Sequence, residues 1–335
     1  MPEAPLYEPA IDLPPIEGVS LRHMRVPEDF AAMTEVANSS RIASGEAFLT
    51  TVEDMVAAYA HLANCDLARD AFTVTADGHL VGYARCFWYD ERAGDRVYQS
   101  VCFLDPTWRR RGIGWAMLRS LEARIGEIAA AAPKTPAWLQ VHGDPADDGR
   151  AALLRKAGYT PARYHYAMAR RDLADRADAP LPVGLEIRDV RPEHLPAIWA
   201  ADQEAFADHW GAWLASEADY EEFRNSPMTD TTLWRIAWDQ DEVAGQVRSF
   251  INAEENEQYD RRRGWVEHIS VRRPWRRRGL AQALIAASLP LIRARGMTEA
   301  ALSVDTENPS GALRLYERMG FRQIGLEAHY RRSLG

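Results

Sequence analysis

Two stretches of this chain carry apolar residues at the 3.6-residue spacing of a buried helix face. Ile113, Ala116, Met117, Leu121, Ile125 and Ile128 form one stripe; Leu280, Ala283, Leu284, Ala287, Leu291 and Ile292 form the other. Pro290 removes a backbone donor from the second, so the pattern predicts a kink there or the last turn of the helix. Segments of strand length surround both helices. "AFTVTADGHLVGYARCFWY" (71–89) and "LWRIAWDQDEVAGQVRSFI" (233–251) each read as strand, acidic turn, strand, with Asp77-Gly78 a hairpin signal in the first. "AWLQVH" (137–142) and "AALSVD" (300–305) read as strands that follow the long helices. "LRHMRVPEDF" (21–30) and "IRDVRPEHL" (187–195) open the two series, and "ALLRKAGY" (152–159) and "RLYERMGF" (314–321) close them.

Paired landmarks lie about 165 residues apart, too far for a solenoid repeat and suited to a duplicated domain. The expected organisation is an N-terminal arm (1–18), an α/β domain (19–169), a linker rich in charge, Ala and Pro (170–184), and a second α/β domain (185–335). A composition of 47% hydrophobic and 27% charged residues is that of a globular protein. No apolar run reaches the roughly 18 residues of a membrane span. The acidic, Pro-rich start has neither the basic nor the apolar region of a signal peptide. Cys65, Cys86 and Cys102 show no Cys-x-x-Cys spacing, which fits a reduced cytoplasm and argues against a disulfide framework or a zinc site. With a net charge of −9 a broad nucleic-acid surface is disfavoured, so phosphate recognition should be local.

Two short segments are built for local recognition: "TWRRRGIGWAML" (107–118) and "PWRRRGLAQALI" (274–285). Each places three arginines and a glycine between a strand and a helix start. Unpaired N–H groups and the partial positive charge of a helix N-terminus attract phosphate, and glycine lets an anion approach the main chain. A Walker loop would need Gly-Lys-Ser/Thr, which is absent. A dinucleotide fingerprint would need glycine where Met117 and Leu284 stand.

"RRRGIG", "RRRGLA" and "NPSGALRLYERMGF" (308–321) resemble the motifs of the GNAT family of N-acetyltransferases, and the resemblance covers both halves. It implies two tandem domains, each a mixed, mostly antiparallel sheet flanked by helices. It also implies acetyl-CoA as co-substrate, with no metal. The residues implied to hold CoA are Arg276, Arg277, Arg278, Gly279, Leu280 and Ala281 at the second turn, Ile269 and Val271 on the preceding strand, and Asn308. Arg109, Arg110, Arg111, Gly112, Ile113 and Gly114 form the equivalent set in the first half.

Acetyl transfer to an amine needs a base for the ammonium proton and a proton donor for the departing thiolate. On strict strand alternation "WVEHISV" puts Glu267, Ile269 and Val271 on one face, and His268 and Ser270 on the other. A carboxylate on an apolar face should have a raised pKa, so Glu267 is the expected base, with His268 or a water-linked carboxylate as substitutes. Related tandem enzymes place the base two residues earlier, at Trp265 here. Tyr316 occupies the place of the family's proton-donating tyrosine. Between the aligned copies Ser100 stands where Glu267 stands and Leu154 where Tyr316 stands, so the first domain is expected to be degenerate and the second catalytic.

The acceptor should enter against "AFADHWGAWLASEADYEEF" (205–223), where Asp208, His209 and Trp210 suit a cationic small-molecule amine. Two other readings stay open: an aminoacyl-tRNA-dependent acyltransferase, and a non-catalytic acyl-CoA-binding protein. The expected protein is a cytoplasmic monomer or homodimer.

Overall fold

A computed structural model of the chain describes residues 13–46, 48–132, 135–174, 179–308 and 310–335. Residues 1–12 of the arm, residues 175–178 of the linker and Pro309 lie outside the described residues. The chain divides into two compact units, one of Met1–Arg163 with Glu327–Gly335, the other of Tyr164–Leu326.

In chain order the first series is β1 (Val19–Arg22), α1 (Phe30–Ala43), α2 (Val52–Ala60), α3 (Leu67–Asp70), β2 (Ala71–Ala76), β3 (His79–Asp90), β4 (Arg96–Leu104), α4 (Ile113–Ala130), β5 (Ala137–Gly143), α5 (Asp148–Lys156) and β6 (Thr160–Arg170). The second is β7 (Glu186–Arg188), α6 (Leu195–Ala205), α7 (Glu217–Asn225), β8 (Arg235–Asp239), β9 (Glu242–Phe250), α8 (Ala253–Gln258), β10 (Arg263–Val271), α9 (Leu280–Ala294), β11 (Glu299–Asp305), α10 (Ala312–Arg318) and β12 (Arg322–Ser333). From Tyr164 onward β6 belongs to the second unit, where it pairs antiparallel with β11. From Glu327 onward β12 belongs to the first, where it pairs antiparallel with β5.

The strand order is β1-β2-β3-β4-β5-β12 in the first unit and β7-β8-β9-β10-β11-β6 in the second. Only β4 with β5 and β10 with β11 run parallel among these neighbours. Parallel neighbours need a crossover, and α4 and α9 supply it. Both sheets are therefore mixed and mostly antiparallel, with helices on their faces.

Asp77 and Gly78, both at positive φ (49° and 84°), close the β2–β3 hairpin as their type I′ preference requires. In α9 the apolar stripe buries Leu280, Ala283, Leu284 and Ile292, but its centre turns toward Ser288 and Leu289. Pro290 lies on the exposed side, and the helix continues past it to Ala294. The core of the second unit packs this helix and α10 on β9, β10 and β11 through Val247, Val266, Leu302, Val304 and Phe321.

One feature of both sheets positions a site. Pairing of β10 with β11 stops at Trp265 and Ala301, although the strands run on to Val271 and Asp305. Likewise β4 and β5 part after Ser100 and Val141. The separating strands open a wedge at the end where α9 or α4 begins.

Candidate active site

The turn from β10 into α9 takes two left-handed residues, Arg277 (φ 61°) and Gly279 (φ 83°). Gly279 is the N-cap, no side chain caps the helix, and a Cβ at Gly279 would meet no atom within 4 Å. Uncapped first-turn N–H groups beside an unfilled glycine turn make a cradle suited to an anion. Arg276 is fastened inward: Nε donates to the Val271 carbonyl at 3.0 Å and Nη2 to the Ala205 carbonyl at 2.9 Å. Arg277 and Arg278 are exposed, the latter donating to the Val183 carbonyl at 3.3 Å. Of the three arginines, one braces the turn and two stand outward.

In the first unit the same backbone is differently surrounded. Arg110 (φ 65°) and Gly112 (φ 88°) repeat the conformation. Arg109 Nη2 donates to the Ser40 carbonyl at 3.0 Å, and the Arg111 guanidinium lies 4.5 Å from the Trp108 ring centroid. Yet Pro14 stands over the turn, its Cγ 3.5 Å from where a Gly112 Cβ would be. Within the wedge, Arg150 of α5 donates from Nη2 to the Cys102 carbonyl at 3.0 Å and from Nη1 to the His142 carbonyl at 3.3 Å. Its stem lies so close to Gly143 that a Cβ there would sit 2.5 Å from Arg150 Cδ. Arginine fills the first wedge. At the aligned position of the second unit stands Ala312.

The second wedge holds a carboxylate instead. Glu267 Oε1 accepts the Ser303 N–H at 2.7 Å across the gap between β10 and β11. Burial pushes the Glu267 carboxyl up to about 8, against the opposing backbone N–H groups of Ser303 and His268. Tyr316 of α10 is buried at 5% exposure, its ring edge-on to Phe321. Burial, and then the neighbouring charge of Glu267, raise the Tyr316 phenol, which therefore keeps its proton.

Strict alternation does not survive along β10. Between Glu267 and Ser270 the register with β9 slips by one residue, and His268 takes a positive φ of 48°. Val266 and Ile269 both pack on the α9 side, so Glu267 is not on the face shared by Ile269 and Val271. The first unit has no such slip: β3 and β4 pair in constant register. Gly82 opposite Leu104 matches Gly245 opposite Val271, so Arg85 corresponds to Arg248, and Val101 rather than Ser100 stands at the place of Glu267. Neither residue is a carboxylate.

On the α6 side the bulge meets a buried polar cluster that the sequence reading missed. Asp202 of α6, 4% exposed, accepts from Arg248 Nη2 at 2.7 Å, Ser270 Oγ at 3.0 Å and Gln246 Nε2 at 3.2 Å. His268 Nδ1 lies 3.4 Å from Asp202 Oδ2, with 53% of the His268 side chain exposed. Burial opposes ionisation of Asp202, but Arg248 and the donors from His268 and Ser270 outweigh it and hold the carboxyl below its usual range. Burial and then Arg248 lower the imidazole, with Asp202 acting in the opposite direction. A signal for this cluster was present: Asp202 interrupts the apolar stripe of Ile198, Ala201 and Ala205 on α6.

The remaining expected residues lie beyond α6. Asp208 is ion-paired with Arg273 and lies 3.5 Å from Arg276, and the hydrogen bond from Arg273 holds its carboxyl low. His209 packs edge-on to Phe206 at 4.6 Å, and burial lowers its imidazole. Trp210 is half-buried. Asn308 caps the turn before α10, its Oδ1 accepting the Ser310 N–H at 2.9 Å. Trp265, two residues before Glu267, donates from Nε1 to Glu255 at 3.2 Å and stacks on Phe250. Among the described residues, no group of three or more His, Cys, Asp or Glu is placed to hold a metal ion, and no helix is long and apolar enough to cross a membrane.

The sequence pattern of the Acetyltransferase (GNAT) family matches residues 35–159 and 195–321. This chain belongs to that family. The acetyltransferase is 35% identical to a mycothiol acetyltransferase of Salinispora arenicola (strain CNS-205), over 77% of this chain and 80% of that protein. It is 32% identical to a second mycothiol acetyltransferase, from Geodermatophilus obscurus, over 79% and 82%. Among solved structures it is similar to a GCN5-related N-acetyltransferase from Sphaerobacter thermophilus, with a TM-score of 0.69 at 25% identity over 96% of each chain. A tandem GNAT protein from the clavulanic acid biosynthesis pathway shares the fold at 17% identity and a TM-score of 0.64, covering 95% of this chain and 99% of that one. The tandem organisation of this acetyltransferase is thus that of known family members.

Proposed function

We propose that the second unit transfers an acetyl group from acetyl-CoA to the primary amine of a small molecule. The observation that carries this reading is a contrast: in one unit the anion turn and wedge are open around Glu267 and Tyr316, and in the other Pro14 and Arg150 occupy the same places. The Gly279 turn fits a pyrophosphate, and the separated ends of β10 and β11 fit an extended arm running toward Glu267. Acetyl-CoA supplies the activated acyl group and a thiol as leaving group.

Glu267 accepts a proton from the attacking nitrogen. A carboxyl poised at about 8 is matched to an amine far better than one of ordinary pKa. Tyr316 stays protonated beside it and donates to the departing sulfur. Relatives named as mycothiol acetyltransferases support a small-molecule amine as acceptor.

The test is thiol release from acetyl-CoA with a panel of amino sugars, amino acids and polyamines. At least one amine should be acetylated by the wild type, and Glu267→Gln should slow it by about 10²- to 10⁴-fold. Wild-type turnover unaffected by Glu267→Gln contradicts the assignment of the base.

A further inference from the structure

Acetylation of an ammonium group removes two protons from one nitrogen. The first must leave before nitrogen has a lone pair to attack with. The second leaves after the N–C bond has formed. Only one of the two is consumed, by the thiolate released when the C–S bond breaks, so the other must reach solvent. Glu267, partly buried in the wedge on the Ser303 N–H and near Tyr316, suits the internal proton. A second, more exposed group suits export to solvent.

We propose that His268, held by Asp202, is the second proton acceptor of this site: its Nε2 takes the first proton from the incoming ammonium and passes it to water. This rests on the acetyl-transfer reading above. His268 lies at the one-residue bulge, at positive φ, and shares the α6 side of β10 with Ser270. There Nδ1 faces Asp202 Oδ2 at 3.4 Å. A carboxylate on that side favours a proton on Nδ1 over one on Nε2 and so leaves the Nε2 lone pair for an incoming proton. Asp202 cannot turn away, because Arg248, Ser270 and Gln246 hold it from β9 and β10. With 53% of its side chain exposed, His268 can both meet an acceptor and exchange with water.

The charged groups facing this imidazole are Asp202 from α6 and Arg248 from β9, while Glu267 on its own strand meets only the His268 backbone N–H. Arg248 opposes a charge on the ring and Asp202 favours one. The protons then balance. One passes from ammonium to His268 Nε2 and on to water. After attack the second passes to Glu267, the Tyr316 phenol proton goes to sulfur, and the proton on Glu267 restores the phenol. Asp202 touches neither substrate and acts as a positioning residue.

Two measurements test this on the full chain. The first needs no acceptor: ¹⁵N NMR of the histidine rings, with His268→Ala to assign the signal. At pH 7 His268 should be neutral with its proton on Nδ1, and Asp202→Asn should abolish that preference. A ring charged at pH 7, or protonated on Nε2, overturns the proposal. The second measures thiol release with glucosamine as the amine probe. His268→Ala should lower kcat/KM by about 10²-fold while acetyl-CoA still binds, and added imidazole should recover about tenfold. An unchanged kcat/KM, or a loss that imidazole does not touch, also overturns it. Wild type that binds acetyl-CoA but acetylates no amine of the panel defeats the proposed reaction instead, and the tautomer still decides the state of His268.

Discussion

Glu267 governs how this protein should respond to pH, in stability as well as rate. Its folded-state pKa is raised above the ordinary value of 4.5 to about 8. In that interval the folded chain keeps a proton that the unfolded chain gives up, so stability falls as pH rises through the window and stays lower above it. Glu267→Gln has no such proton to lose. Its Tm should exceed that of the wild type at pH 9 and converge with it toward pH 4.5, as thermal denaturation at the two pH values would show. On the proposed mechanism acetyl transfer runs the other way, since it needs the ionised carboxylate, and the wild-type rate should climb to a plateau above about pH 8. Tyr316→Phe keeps the buried ring, so it should change stability by less than about 1 kcal/mol. The same variant should lower kcat by about 10²-fold in the thiol assay.

At the scale of elements, what a sequence exposes is periodicity, and what it hides is where periodicity fails. The stripe of α4, the hairpin at Asp77-Gly78 and the paired glycine-capped helices are legible because each is a local rule satisfied by adjacent residues. The bulge at His268 is not, because one extra residue in β10 is visible only against its partner β9. It moves Glu267 off the face of Ile269 and Val271, while His268 keeps the face of Ser270 beside Asp202. The filling of the first wedge is hidden for a related reason: Arg150 is a surface-type residue in the pattern of α5, and only the bare Gly143 lets its stem lie across β5. Arg150→Ala would leave the Cys102 and His142 carbonyls without their charged donor. It should cost about 1–3 kcal/mol of stability, read by urea denaturation, without altering kcat.

For the whole molecule, the repeat explains why the same basic turn occurs twice, but not what each copy does. Both turns have the same left-handed glycine and the same helix behind it. They differ in neighbours brought from elsewhere in the chain: Pro14 lies 98 residues before Gly112, and Arg150 lies 38 residues after it. Such differences are invisible to a comparison of motifs. The account therefore turns on one working acetyl-CoA site per chain. Calorimetric titration of acetyl-CoA into wild type, Gly112→Glu and Gly279→Glu measures it most directly. One equivalent should bind to wild type and to Gly112→Glu, and none to Gly279→Glu. Two equivalents on the wild type, or binding lost in Gly112→Glu and kept in Gly279→Glu, would contradict it.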